Sequence, residues 1–183
     1  MGASETDRAR VAAMFDEYAS RVFGYARRQC DPATAQDVVS DTFLVALRRI
    51  ADVPPQPLPW LLVVARNTIA NRRRHELRQD RLADTVARLE QIAGPGTGAD
   101  HSVLERESLL AALAELTELE REALLLVAWD GLSGPDAAAV AGCSVRAFEV
   151  RLSRARARLT RAAENPSRPA TPLPTRPVLR KAQ

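Results

Sequence analysis

The chain has 183 residues, of which 46% are apolar and 4% aromatic, and its net charge is +3. This size allows one or two small cores, and the scarcity of aromatic and β-branched runs favours an all-α protein. The two cysteines, Cys30 and Cys143, are too few for a disulfide scaffold and lack zinc-ligand spacing, so no metal site or cofactor is expected. Without a signal-peptide pattern or an apolar run of about 18 residues, a cytoplasmic protein with no membrane insertion is expected.

The first two predicted helices precede a cluster of prolines. Over residues 14–29, apolar side chains recur at the spacing of one helical stripe, namely Phe15, Tyr18, Val22 and Tyr25. Asp31 is a suitable N-cap and Pro32 fits the first turn, so a second helix is predicted from there to Ile50. Two carboxylates stand one turn apart on this helix, Asp37 and Asp41.

A third helix is predicted after the prolines at 54, 55, 57 and 59, because residues 61–65 are too apolar for a surface loop. Residues 66–81 then contain six arginines against two acids, a local excess of +4. This pattern is typical of a nucleic-acid surface, but arginines also stabilise the C-terminal end of an ordinary solvated helix. These residues alone leave both interpretations open.

Two segments have the composition of irregular chain. Residues 83–107 are predominantly acidic and include GPGTG at 94–98, which predicts a flexible linker. Residues 163–183 contain five prolines and few groups to bury, which predicts a disordered tail. Between them, helical periodicity resumes over 109–129 and is interrupted at Thr117, where TELE forms a capping box.

Residues 132–159 have the pattern of a helix-turn-helix. Ser133 can cap a short first helix, Gly142 supplies the positive φ of the turn, and Ser144 can cap the second helix. In that second helix one face is predicted to pack inward: Val145, Phe148, Leu152 and Ala155. Residues 146–161 hold six arginines and one carboxylate, so the outward face is predicted to bind a phosphate backbone, although a solvated arginine-rich helix also has such a charge.

Two helical modules, with motifs in a fixed order, resemble a known family. The motifs are DVVSDTF at 37–43, WLLVVARN at 60–67, LTELEREALLL at 116–126, GLS at 131–133 and RLSRARARL at 151–159. In this order they resemble the group-four, extracytoplasmic-function sigma factors of bacteria. The resemblance covers residues 10–162 and implies a region-2-like module at 10–82 and a region-4-like helix-turn-helix module at 108–162.

The resemblance implies a role for each module. The first would bind the RNA polymerase core, through its β and β′ subunits, using Asp37, Asp41 and Phe43. It would also bind and help to melt the promoter −10 element through Asn67, Thr68, Asn71, Arg72, Arg73 and Arg74, with residues 67–71 forming a loop around an unstacked base. A flipped base needs amide donors and acceptors, and single-strand phosphates need cations. The second module would place its recognition helix in the major groove of the −35 element.

The chain departs from the family pattern at the start of the recognition helix. Its predicted outward residues there are Arg146, Ala147, Glu149, Val150, Ser153 and Arg154. Arg146 suits guanine, Glu149 suits cytosine N4, and Ala147 or Val150 suits a thymine methyl group. Glu149 balancing Arg146 or Ser153 on the helix surface is an equally open interpretation.

Further partners and alternatives follow from the same comparison. The family implies control by a separate anti-sigma factor, in addition to the polymerase core and promoter DNA. A stand-alone helix-turn-helix repressor would not need the motifs of the first module. A recombinase would need a catalytic serine or tyrosine domain, and the sequence shows no nucleophile constellation, phosphate loop or metal cluster. A non-enzymatic protein is therefore predicted.

Overall fold

The computed structural model describes residues 4–76 and 112–164. These ranges contain helices and turns and no β-strand, which confirms the predicted all-α class. Six α-helices are described over most of their length: α1 (Glu5–Arg27), α2 (Pro32–Arg48), α3 (Pro57–Glu76), α4 (Glu118–Ala128), α5 (Gly134–Val140) and α6 (Val145–Glu164). Residues 112–114 are also helical, whereas the predicted linker and residues 165–183 of the predicted tail lie outside the described residues.

Helix α1 begins nine residues before the predicted stretch. Ser4 caps it and forms a reciprocal capping box with Asp7, a signal that the sequence interpretation missed. Val22 and Tyr25 of the predicted stripe are buried, but Phe15 is 45% exposed, so the prediction that it belongs to the core is wrong. Met14 occupies the buried position instead, because the packed face is rotated by about one residue from the face that the aromatic spacing indicated.

Helices α2 and α3 complete a three-helix module. Asp31 accepts hydrogen bonds from the backbone of the first turn of α2, as predicted. The helix ends at Arg48, and a 3-10 turn over Ile50–Asp52 replaces the predicted last residues of the helix. Helix α3 already begins at Pro57, since prolines in a first turn lose no intrahelical hydrogen bond.

The second module has the predicted caps and turn. Thr117 and Glu120 form the capping box of α4, and Ser133 accepts a hydrogen bond from the backbone N–H of Asp136 in α5. Gly142 has φ +64° at the end of α5. Helices α4, α5 and α6 pack against one another, and α5 also packs on α3 of the first module. One apolar cluster therefore continues from the first module into the second.

Candidate nucleic-acid interface

The recognition helix α6 is fixed at its N-terminal end by its cap and its buried face. Ser144 accepts a hydrogen bond from the backbone N–H of Ala147 at 3.2 Å. Phe148 and Ala155 are fully buried, which confirms the inward face at these positions. Val145, the first residue of α6, is 41% exposed, so its predicted inward position is wrong. The buried side chains hold α6 rigidly and leave its opposite side to solvent.

The predicted DNA-facing side of α6 is solvent-facing in the structure. Ala147 is half-buried, and the other five predicted residues are exposed: Arg146, Glu149, Val150, Ser153 and Arg154. Neither Arg146 nor Glu149 makes a hydrogen bond or an ion pair with another described residue. Glu149 therefore does not balance Arg146 through a direct contact, and both side chains are available to a ligand.

The body of α6 is held against α4 and the segment before it. Ala155 packs with Leu113 and Leu116 in a small separate cluster. The Arg158 guanidinium donates to the carbonyl of Glu115 at 3.2 Å and lies 3.3 Å from the Glu120 carboxylate. One of the six arginines thus supports the fold, and the charge of the helix overstates the number of cations free to bind phosphate.

The predicted −10 residues lie on α3, which is a continuous helix through residues 67–71. The expectation of a loop at these positions is wrong, because Ile69 is 3% exposed and anchors a regular helical turn to the core. Three of the six predicted residues are exposed, Asn67, Asn71 and Arg74. The structure therefore presents a polar helical face at the site where an amide-lined loop was expected.

Arg72 links the predicted −10 surface to the predicted polymerase surface. Its guanidinium donates to Asp37 at 3.0 Å and to Asp41 at 2.7 Å, so α3 is tied to α2 by a forked ion pair. The pKa of Arg72 is raised, chiefly by the hydrogen bond to Asp41. The carboxylates remain partly exposed, so they keep a face toward solvent.

Phe43 and Arg73 have protein partners in the structure. Phe43 is 5% exposed, and its ring lies edge-on to that of Phe15 at 5.0 Å between centroids. Arg73 donates to the carbonyl of Gln29 at 2.9 Å and lies 3.7 Å from Glu118 of the second module. Neither side chain is free on the surface to which the resemblance assigned it.

Ion pairs between the modules were not foreseen from the sequence. Arg28 pairs with Asp130, and Arg66 Nε lies 3.4 Å from Glu122 Oε1. Burial raises the pKa values of both Asp130 and Glu122, although the arginines oppose this effect. The partners are 102 and 56 residues apart in the chain, so no local pattern could have indicated these contacts.

The described ranges contain neither a metal-binding cluster nor a membrane-spanning helix. No group of three or more histidine, cysteine, aspartate or glutamate side chains is arranged to hold a metal ion there. No helix within those ranges is long and apolar enough to cross a membrane.

Comparison with known proteins identifies the family. Residues 14–79 match Sigma-70 region 2, and residues 106–159 match Sigma-70, region 4. The chain is 38% identical over 128 residues to the ECF RNA polymerase sigma factor EcfG of Rhodopseudomonas palustris, with 69% of each chain covered.

Two solved structures have the same fold. One is CnrH in complex with the cytosolic domain of CnrY, at 29% identity and a TM-score of 0.57, covering 87% of this chain and 91% of the other. The other is RpoE of Bartonella quintana in complex with the anti-sigma factor NepR, at 23% identity and a TM-score of 0.61, covering 84% and 96%. The second likeness concerns the fold alone.

Together the paired regions and the relatives define a class of bacterial transcription initiation factors. The chain belongs to the extracytoplasmic-function RNA polymerase sigma factors. It is a sigma factor that directs RNA polymerase to promoters at transcription initiation.

Proposed function

We propose that residues 108–162 recognise the −35 element through α6 and that residues 10–82 bind the polymerase core and the −10 element. The observation that carries this assignment is the asymmetry of α6. Phe148 is fully buried on one side, while Arg146 and Glu149 are exposed and unpaired among the described residues on the other. A helix held in this way by a helix-turn-helix fits the major groove of B-DNA.

The outward face of α6 supports specific roles in base recognition. Arg146 donates to a guanine, and Glu149 accepts from a cytosine N4, because neither has a competing partner in the described part of the chain. Val150 contacts a thymine methyl group, and Ser153 and Arg154 bind the backbone or an adjacent base. Each good bidentate contact discriminates by about 1–3 kcal/mol against the wrong base.

In the first module, the exposed amides of Asn67 and Asn71 bind an unstacked base, and Arg74, which donates to Asn71 Oδ1 at 2.7 Å, orients that amide and binds the adjacent phosphate. Thr68, Arg72 and Arg73 position this face, because they are half-buried and both arginines have partners outside α3. Asp37 and Asp41 bind the β′ clamp of the polymerase core through the parts of their carboxylates that Arg72 leaves exposed to solvent. Phe43 is buried in the hydrophobic interior of the first module and supports α2 from there.

The protein acts by reversible binding and has no catalytic activity of its own, and its site of action is the cytoplasm, where the polymerase is. A separate anti-sigma factor controls it. This part of the proposal is supported by the likeness to CnrH and RpoE, whose solved structures contain CnrY and the anti-sigma factor NepR. The acidic segment 83–107 connects the two modules, and residues 163–183 are a tail beyond the second.

The test is run-off transcription from genomic DNA fragments with purified polymerase core, with and without the protein. The variant is Asp37→Asn with Asp41→Asn, because arginine at both positions would place two cations beside Arg72 and perturb the fold. We expect specific starts with the native protein. The variant should weaken core binding by about tenfold or more, since a hydrogen-bonded interfacial charge is worth about 2–5 kcal/mol.

The matched control removes two exposed carboxylates from α1, in Asp16→Asn with Glu17→Gln, and should leave core binding within about twofold. Equal losses in both variants would contradict the assignment of Asp37 and Asp41. If the protein instead ignored the core and selected DNA sites alone as a dimer, the repressor alternative would replace the proposal.

A further inference from the structure

A cleft of about 630 Å³ lies between the two modules, with walls from the end of α1, from α3 and from α4. This volume falls in the range of about 300–1,000 Å³ that is typical of small-molecule sites. The apolar part of its lining includes Ile69, Leu116, Leu125 and Leu126. The cleft therefore offers a surface on which the apolar part of a ligand can pack.

The charged part of the lining is strongly basic. It consists of five arginines and two glutamates: Arg28, Arg66, Arg73, Arg74, Arg121, Glu118 and Glu122. Glu122 pairs with Arg66 and Glu118 lies near Arg73, while Arg28 pairs with Asp130 outside the cleft. Arg74 and Arg121 form no ion pair with a described carboxylate, so these two cations give the cleft its excess positive charge.

Arg121 is half-buried and has donors to spare. Its Nε donates to the carbonyl of Leu113 and its Nη2 to the carbonyl of Leu116, both at 2.9 Å, and Nη1 has no acceptor in the part of the chain that the structure describes. Burial lowers the pKa of Arg121, although the nearby Glu118 opposes this effect. A partly desolvated guanidinium with an unused N–H edge is well suited to bind an anion.

The Tyr25 side chain, which also lines the cleft, is an independent sign of a ligand. It is 1% exposed, and its hydroxyl makes no hydrogen bond of normal geometry with any described residue, although Gln29 lies near it. Burial raises the pKa of this hydroxyl, so it is neutral and keeps its proton to donate. Since a buried hydroxyl without a partner is destabilising, a polar atom of a molecule in the cleft would stabilise this side chain.

We propose that this cleft binds a small organic anion, in which an apolar body carries a phosphate or carboxylate group. The anionic group binds Arg121 and Arg74, the apolar body packs on the leucines of α4, and the Tyr25 hydroxyl donates to a polar atom of the ligand. Guanidinium groups bind phosphate and carboxylate alike through parallel N–H donors, and the phosphate carries more charge. The ligand is neither DNA nor polymerase, so the proposal does not depend on the assignment of promoter contacts.

The experiment is calorimetric titration of the full-length protein with probes that share one apolar ring system. Naphthyl phosphate and naphthoate carry the two anionic groups, naphthol carries none, and inorganic phosphate has no apolar body. We expect saturable one-to-one binding of both naphthyl anions, with the phosphate ester the tighter of the two. Each should bind about tenfold or more tightly than naphthol, and inorganic phosphate about tenfold or more weakly than naphthyl phosphate, because charge and apolar packing both contribute.

Three variants locate the bound probe. Ala70→Leu adds bulk at a half-buried lining position and should weaken naphthyl phosphate by about tenfold, whereas Ala13→Leu, at an exposed position of α1, should not change its affinity. Arg121→Gln should weaken it by about tenfold, and Arg48→Gln, at an exposed position of α2, is its control. Tyr25→Phe should weaken it several-fold without lowering the free energy of unfolding, because the hydroxyl has no partner within the described chain.

The absence of saturable binding by both naphthyl anions would overturn the proposal. Undiminished affinity in a folded Ala70→Leu variant would also overturn it, since the probe would then bind elsewhere. Naphthol binding as tightly as the two anions would contradict an anion site. Helical circular dichroism and urea unfolding verify the fold of each variant, and Tyr25→Phe keeps the test decisive if Arg121→Gln does not fold. The titrations contain neither polymerase nor DNA, so their outcome is separate from that of the promoter assignment.

Discussion

The two basic helices of the molecule differ in how much of their charge is already satisfied. On α3, Arg66, Arg72 and Arg73 all pair with carboxylates of other elements. On α6, Arg146 has no ion pair among the described residues, and its neighbour Glu149 has none either. A run of arginines therefore does not by itself define a DNA surface. On α6, Arg158 is paired with Glu120 while Arg146 remains unpaired among the described residues, whereas on α3 three of the arginines stabilise the protein and Arg74 donates to the amide of Asn71.

The largest effect is expected where the support of α6 is removed. Phe148→Ala deletes a fully buried ring and should lower the free energy of unfolding by about 3–5 kcal/mol, with loss of binding to −35 DNA. Urea unfolding followed by circular dichroism measures this change. Val150→Ala, at a position 45% exposed on the same helix, is the control and should stay within about 0.5 kcal/mol. Similar small losses in both variants would show that α6 does not depend on its buried face.

The next effect concerns the unpaired side of α6. Arg146→Ala should weaken binding to a −35 duplex by about 1–3 kcal/mol and relax the preference at one base pair. The reason is that Arg146 has no other partner within the described part of the chain. The variant therefore loses the contact with the base and no contact within the protein changes to offset that loss. Arg161→Ala, at the far end of the helix, should weaken binding to the −35 duplex and to a scrambled duplex by the same factor. Fluorescence anisotropy at fixed salt measures the affinity of each variant for each duplex. An equal loss of affinity for the two duplexes with Arg146→Ala would refute base recognition by this residue.

A somewhat smaller effect is expected at the two glycines with positive φ. In Gly131→Ala and Gly142→Ala, alanine must adopt a left-handed backbone conformation, which lowers the free energy of unfolding by about 1–2 kcal/mol. Only Gly142→Ala also displaces Arg66, because the space beside Gly131 is open. We therefore expect a lower Tm for Gly142→Ala than for Gly131→Ala, measured by thermal unfolding. Adding Arg66→Ala should remove most of the difference between them, and a difference that persists would contradict the contact.

The smallest effect is expected from the half-exposed pairs of α3. Arg72→Gln should cost no more than about 1 kcal/mol of unfolding free energy, because partly exposed ion pairs gain little over hydration. Arg49→Gln, which breaks the exposed Arg49–Asp52 pair, gives the scale for a surface contact within the same module. A decrease of several kcal/mol in the free energy of unfolding of Arg72→Gln, measured by urea titration, would mean that the ion pairs of Arg72 with Asp37 and Asp41 are essential to the fold.

Local signals predicted much of the architecture. The caps at Asp31, Thr117 and Ser133 and the turn at Gly142 depend on a few neighbouring residues, so the sequence alone indicates them. The order of motifs likewise sufficed to indicate the family, and the paired region-2 and region-4 matches confirm it.

The failures have a common physical origin. Periodicity identifies an apolar stripe on a helix, but the neighbouring helices determine which residues of that stripe are buried. Phe15 and Val145 are exposed for this reason. The ion pair of Arg72 with Asp37 and Asp41 was not indicated by the sequence, because it arises only when α2 and α3 pack together, and DNA binding by Arg72 stays a prediction. The pairs between Arg28 and Asp130 and between Arg66 and Glu122 depend in the same way on tertiary packing.

We propose that α6 contacts the −35 element while α3 contacts the −10 element in one polymerase complex. The most direct test places a photo-crosslinking residue at position 147 or position 71 of the full chain and maps the crosslinks on a promoter identified by run-off transcription. We predict crosslinks near −35 from position 147 and near −10, on the non-template strand, from position 71. Crosslinks from both positions to a single element, or none from position 147 in an active complex, would contradict this assignment of α3 and α6.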